Sequence, residues 1–260
     1  VLFRSVTLSL YDGDDVTVTE TAQRALKEDE KLSLEIDGGK LTVRWNSAWL
    51  NLGVSGGDSK RLEVQVPRAL AGDLSRISVY TASGTLQTAD FAAREISLKT
   101  VSGGIEASNL SAGRLALNST SGTIRGEGLE GTERLEAGNV SGKTALAGVR
   151  AGTLKISSTS GTIEAEGAAA SADCGSVSGA VSLTMQTWAE ETAISTVSGG
   201  VTLRGPETEA GFTCRYSTVS GDMTCGFNVK QSGSEYIAGK GEAAVSITTT
   251  SGDAELGPIQ

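Results

Sequence analysis

Apolar and polar residues alternate along most of this chain in short runs of period two, and the runs are broken at regular intervals by the dipeptide Ser-Gly. The dipeptide recurs at Ser83, Ser102, Ser121, Ser141, Ser160, Ser178, Ser198, Ser220 and Ser251, in steps of 19, 19, 20, 19, 18, 20, 22 and 31 residues. Aligning the chain on each serine sorts the rest into columns. Six residues earlier stand Ile77, Ile96, Leu115, Leu135 and Leu154, and four earlier Val79, Leu98, Leu117, Ala137 and Ile156. Three residues later stand Leu86, Ile105, Ile124, Thr144, Ile163, Val181 and Val201. The column eight later is again apolar in the early repeats, with Phe91, Leu110, Leu129 and Val149.

Alternation at these offsets predicts two short strands around each Ser-Gly turn. A repeat of about 19 residues buries no apolar face alone, but stacked repeats do, because like columns then lie about 4.8 Å apart. The pattern therefore predicts an all-β fold, a parallel β-solenoid (β-helix) of about nine coils. Right-handed winding is expected from the strong preference of parallel crossovers. No helical periodicity competes over 67–257.

The glycines of the dipeptide, Gly84, Gly103, Gly122, Gly142, Gly161, Gly179, Gly199, Gly221 and Gly252, read as structural turn residues. The expected reason is a backbone with φ > 0, which glycine enters without a Cβ clash. Two positions before each serine stand Thr81, Thr100, Ser119, Asn139, Ser158, Ser176, Thr196, Thr218 and Thr249. That column predicts a stacked polar ladder beside the turn, in preference to an ice- or sugar-binding array.

Residues 6–66 do not hold the repeat register and read as an N-terminal β region that caps the solenoid of 67–257, the whole forming one domain. Val6, Leu8 and Leu10 resemble an imperfect first coil. Leu32–Ile36 and Leu41–Trp45 flank Asp37-Gly38-Gly39-Lys40, a hairpin signal. Ser55-Gly56 is not counted as a repeat, because its flanking alternation falls on the wrong offsets. An insertion at 226–243 lengthens the last step. Val1–Ser5 reads as the in-frame translation of a sequencing adapter and is set aside. The expectation is then that the natural N-terminus lies upstream, with any signal peptide or membrane anchor.

Composition narrows the chemistry. The 260 residues carry 22 Lys and Arg against 31 Asp and Glu, a formal charge of -9, which argues against a nucleic-acid partner. There is no histidine, so the commonest metal ligand and general base is missing. Three scattered cysteines make neither a disulfide framework nor a zinc site. Cys174, Cys214 and Cys225 fall in inward columns and read as core. No metal, cofactor or catalytic residue is assigned.

Many β-solenoids cleave polysaccharides with carboxylates on an outward face. Here the outward columns hold Glu136, Lys155 and Asp173; Glu106 and Arg125; and Glu127 and Glu166. Signs alternate in the first two sets, so the favoured reading is a solvated face with cross-coil ion pairs, Lys155 meeting Glu136 and Asp173, and Arg125 meeting Glu106. Trp45, Trp49 and Trp188 are candidates for a sugar-stacking surface, weighed against ordinary use of Trp at strand edges and caps.

Leu62-Glu63-Val64-Gln65-Val66-Pro67, the repeated Thr-Val-Ser-Gly-Gly-Ile/Val at 100–105 and 196–201, and Gly239-Lys240-Gly241 followed by Ser246–Asp253 together resemble the bacterial DUF4097 family of β-strand-repeat proteins. The resemblance spans about 6–257. It implies a β-solenoid, often behind an N-terminal membrane segment, in adhesin-like envelope proteins, and supplies no catalytic residues. The expected function is a non-enzymatic, extracytoplasmic scaffold or binding surface, membrane-anchored or at the cell surface, with a protein or polysaccharide partner. The alternatives are a regulatory module of an envelope-stress system and a carbohydrate-active enzyme.

Overall fold

The computed structural model describes residues 2–26, 28, 31–45 and 59–259. Ser55-Gly56 and Trp49 lie outside the described residues. The chain opens with β1 (Leu2–Tyr11) and β2 (Thr17–Ala22), followed by the hairpin of β3 (Leu32–Asp37) and β4 (Lys40–Trp45). β5 (Ser59–Pro67) ends at a proline and leads through a short 3-10 turn, Arg68–Leu70, into the repeats. These begin with β6 (Arg76–Thr81), β7 (Thr85–Ala89), β8 (Ala92–Thr100), β9 (Ile105–Ser108), β10 (Ser111–Ser119), β11 (Ile124–Glu127) and β12 (Glu130–Asn139). In the next coils the chain rounds the corner without a break, so β13 (Thr144–Ser158) and β14 (Ile163–Ser176) each serve both faces. β15 (Val181–Met185), β16 (Glu191–Ser198) and β17 (Val201–Gly205) complete the regular stack.

The sequence columns are the structural register. Before the turn, Ile77 pairs with Ile96, Ile96 with Leu115, Leu115 with Leu135 and Leu135 with Leu154, all in parallel strands. After the turn, Leu86, Ile105, Ile124, Thr144, Ile163 and Val181 form the matching ladder. Ile105, Ile124 and Ile163 are fully buried, while the next residues, Glu106, Arg125 and Glu164, are exposed. The fold is thus a parallel β-solenoid whose core is a stack of Ile, Leu, Val and Ala layers.

Three findings refine the expected coil. First, the coils that run through β8 to β14 have three strand segments each, not two. Ser111-Ala112 pairs with Ala92-Ala93 and with Glu130-Gly131 on a third side, where inward Phe91, Leu110, Leu129 and Val149 fill the interior. Second, the corner between the post-turn side and this third side is left-handed, with φ 66° at Asp90, 51° at Asn109, 61° at Gly128 and 63° at Gly148. Asp, Asn and Gly tolerate that conformation best. Asn109 Nδ2 also donates to Asp90 Oδ1 across one rung at 2.9 Å.

Third, the stack does not follow chain order at its ends. After β18 (Phe212–Ser217) and β19 (Met223–Cys225), the chain runs through β20 (Lys230–Ser232) and β21 (Glu235–Ala238) and returns as β22 (Ala243–Ser251) and β23 (Ala254–Pro258). β22 lies between β16 and β18, and β23 between β17 and β19. The last coil in sequence is therefore the penultimate rung in space. The other end repeats the device, because β1 enters between β5 and β7. Its pairing includes residues 2–5, with Ser5 aligned on Arg61 and Thr85. Each end is finished by an antiparallel strand, β2 on β5 and β21 on β18, which changes the hydrogen-bonding pattern presented to solvent.

The caps have interiors of their own. At one end the buried Lys60 ammonium sits 2.8 Å from Glu20 Oε1, and Glu20 Oε2 accepts the Leu32 amide at 3.1 Å. One carboxylate so ties β2, β5 and the β3–β4 hairpin together. At the other end Trp188, Phe212 and Phe227 cluster with ring centroids 4.7, 5.0 and 6.0 Å apart.

The inserted rung generates an expectation. Excising Gly103–Ser121 rejoins Ser102 to Gly122 and keeps every column, so the shortened protein folds cooperatively with a modest loss of stability. Truncation after Glu242 removes an interior rung, leaving β16–β17 and β18–β19 without partners on one side. Urea midpoints compare the two: the truncation should lose several times more stability than the internal excision. Equal losses would mean that the inserted order is not the one adopted in solution.

Candidate functional site

The Ser-Gly edge is the most regular feature of the molecule, and its glycines stand there for a different reason than φ. Of the nine, only Gly84 and Gly221 have positive φ. The others are held by close approach between coils. A Cβ on Gly103 would lie 1.7 Å from the Gly84 carbonyl oxygen, one on Gly122 1.7 Å from that of Gly103, and one on Gly161 1.8 Å from that of Gly142. The same contact runs on through Gly179, Gly199, Gly252 and Gly221, in the spatial order of the coils. No side chain fits between the stacked turns.

The polar column two residues before the serine locks this edge from inside. The Gly122 amide donates to Ser119 Oγ at 2.9 Å, and that hydroxyl donates to the Gly103 carbonyl of the preceding coil at 3.0 Å. Ser176 repeats the relay between Gly179 and Gly161. At Asn139 the side-chain amide donates to Gly122 O at 2.7 Å, while its oxygen accepts the Ser141 amide. Apart from Thr218 the column is buried, so it offers no surface array to ice or sugar.

The charged columns face an open trough of about 770 Å³ over β7, β9, β11, β13, β14 and β15, bordered by Gln87, Glu106, Arg125, Glu127, Glu164 and Glu166. Glu106 and Arg125 are register neighbours, as expected, but Glu106 accepts from Gln87 at 2.8 Å and forms no ion pair with Arg125 among the described residues. Glu164 pairs with Lys143 at 2.6 Å, and Glu166 accepts from Gln186 at 3.4 Å. On the other face Lys155 meets Asp173 at 3.5 Å. Glu136 stands next to Lys155 in register, yet pairs with Arg134 of its own strand at 2.5 Å. These exposed pairs contribute about 0–1 kcal/mol each.

Trp188 and the cysteines serve the packing of the solenoid and its cap. Trp188 is half-buried: it packs on Phe212 and Phe227, and its indole N–H donates to the Pro206 carbonyl at 2.9 Å, so the ring is fixed in the cap. Cys174 and Cys214 are fully buried free thiols, whereas Cys225 is only half-buried. Burial, reinforced by the Asp173 charge, pushes the Cys174 thiol up from 9.0 to about 12. Burial also pushes Cys214 up to about 12. Sequence reasoning missed the left-handed corner, although Asp90, Asn109, Gly128, Gly148 and Gly167 stand in one column seven residues after the serine.

The profile of the Toastrack DUF4097 family matches residues 4–256. No curated protein gives a significant match. A solved structure from Clostridium sporogenes described as a "putative cell adhesion protein" is similar at a TM-score of 0.32 and 9% identity, covering 99% of this chain and 91% of that one.

Two expectations follow from this geometry. Gly122→Ala should destabilise the protein by roughly 3 kcal/mol or more, since the methyl meets backbone that cannot yield without separating two coils. Gly72→Ala, with no atom within 4 Å of the added carbon, should stay within about 0.5 kcal/mol. Chemical denaturation of both variants checks the contrast. The thiols predict alkaline destabilisation. A folded pKa raised above the unfolded value leaves stability intact below pH 9 and removes it as pH rises toward 12. Between pH 8 and pH 10 the wild type should lose about 1.4 kcal/mol more than Cys174→Ala. Parallel slopes for the two proteins in urea titrations across that range would count against the buried neutral thiol.

Proposed function

This chain belongs to the Toastrack DUF4097 family, and from that premise we propose that it is a non-enzymatic, adhesin-like solenoid displayed at the bacterial cell envelope. The observation that carries the proposal is the use made of the outward charges. Glu106, Glu164 and Glu166 each bond a side chain of a neighbouring coil along the open trough, and Asp173 does the same on the other face. A catalytic carboxylate pair needs two groups converging on one bond from opposite sides, at a separation of about 5–9 Å, with their oxygens free to exchange protons or attack. A surface built of coil-to-coil bonds instead favours rigidity, the property a spacer or binding platform requires. The partner in this reading is a protein or polysaccharide at the cell surface. No helix among the described residues is long and apolar enough to cross a membrane.

Two measurements test the proposal. Incubation with a panel of plant and bacterial polysaccharides should release no reducing ends and no unsaturated sugars. Turnover that disappears in Glu127→Gln or Glu166→Gln would replace display with catalysis. Protease treatment of intact cells of the native host should remove the protein. Full protection there, with digestion only after lysis, would move it to the inside.

A further inference from the structure

The neutral edge of the solenoid has a shape and chemistry of its own. Among the described residues, eleven large apolar side chains are exposed, and five of them fall in a single column: Val101, Val140, Val177, Val197 and Val219. This is the position immediately before each serine, on the outer side of the turn. Thr120, Thr159 and Thr250 fill the rungs between them, and Ala82 begins the column. The ridge is held rigidly, because its backbone makes its own parallel ladder. The amides of Ser121, Ser141, Ser160 and Ser178 donate to Val101, Thr120, Val140 and Thr159 of the preceding coil at 2.8–2.9 Å.

Charge is excluded from this edge. The ridge, the serine column beside it and the outward column three before the serine comprise three columns of nine residues, and Lys99 is the one charged side chain among them. The chain as a whole is 20% charged and carries -9. Beside the ridge runs a groove of about 440 Å³, with Val101, Thr120, Val140 and Thr159 on one wall and Tyr80, Lys99, Asn118 and Ser157 on the other. Gly138 leaves a gap in that second wall, and the groove's floor is the polar column already described.

We infer that this edge is a homotypic contact, in which a second copy of the chain docks antiparallel with each valine-threonine ridge seated in the other's groove. The inference rests on the reading of the solenoid as a non-enzymatic binding surface, and names its partner. Three observations select a second copy. A surface bearing both a ridge and a matching groove at one repeat is self-complementary, as a two-fold contact requires. Two molecules of charge -9 repel, and a charge-free strip is where their approach meets the least of that repulsion. Nine rungs at about 4.8 Å give a strip about 40 Å long, and three columns make it about 14 Å wide. The groove itself spans the rungs from Val101 to Thr159, and a pair that covered the whole charge-free strip around it would bury up to about 1,100 Å² in total, the range of a weak, reversible protein contact. A neutral sugar chain would want stacking rings along the groove, and Tyr80 at one end is the one aromatic there.

Sedimentation equilibrium of the purified chain from about 1 µM to 1 mM tests the inference. The weight-average mass should rise toward that of a pair. The association should tighten several-fold as salt rises from about 20 mM to 500 mM, because screening removes the repulsion without touching the contact. The double variant Val140→Glu/Val177→Glu should stay monomeric, and Ala147→Glu/Ala170→Glu, which adds the same charge away from the edge, should associate almost as the wild type does. If the first pair loses its β-type circular dichroism, Thr120→Lys/Thr159→Lys places charge on the same ridge at rungs that are already polar. A wild type that stays monomeric at 1 mM overturns the inference, as does undiminished association of the folded edge variants. Edge-dependent binding of a neutral glucan by a monomeric wild type would overturn it too, while leaving the display reading intact. Glycan cleavage by a protein that still associates would remove only the display reading.

Discussion

The spacing of the coils governs everything else in this protein. Parallel backbones must approach to about 4.8 Å over every side of the coil at once, and the tightest point is the Ser-Gly edge. There the carbonyl of one glycine occupies the space in which the next coil's Cβ would sit, at Gly103, Gly122 and Gly161 by less than 2 Å. The glycine column permits the approach, and the serine, threonine and asparagine column behind it fastens the approach with hydrogen bonds along each coil and between coils. The inward Ile and Leu layers then join into one continuous buried core. A single misfit at the edge is felt along the whole rung, since the two faces of a coil are continuous through the turn.

A stack of this kind has two ends, and each would present unpaired strand edges. The protein handles both in the same way. A segment from a chain terminus, β1 at one end and β22–β23 at the other, enters the stack as an interior rung. The outermost rung then comes from farther inside the sequence and is covered by an antiparallel strand. The terminal segments are thereby paired on both sides, which protects them from fraying. The caps add the two interactions least like the rest of the structure, the buried Lys60–Glu20 pair and the Trp188–Phe212–Phe227 cluster.

The outer surface divides by chemistry. One side carries charges that bond from coil to coil above a broad trough, and the turn edge carries an uncharged ridge and groove. The first side adds modest stability and solubility. The second exposes methyl groups at fixed intervals on a rigid ladder. Such a patch on a protein with so few aromatics is where contact with another molecule costs least, because little water-bound charge has to be stripped away.

The coil can be read from the letters of the chain alone. A period of about 19 and inward columns of alternating Ile, Leu and Val specify a register that a one-residue slip would turn inside out, and Ile124 with Arg125 shows that no slip occurred. The polar ladder was legible for the same reason, since stacking converts a column of letters into a row of contacts. Features that involve more than one repeat became visible only in the folded molecule. The reason for the turn glycines is a distance between neighbouring coils, which no single coil encodes. The choice of Asp173 as partner for Lys155, with Glu136 taken by Arg134, depends on rotamers that register leaves free. The order of the end rungs, with β22–β23 between β16–β17 and β18–β19, is set by pairings between distant parts of the chain. Columns of similar residues fit several neighbours equally well, so the sequence fixes how a coil stacks without fixing on which coil the last one stacks.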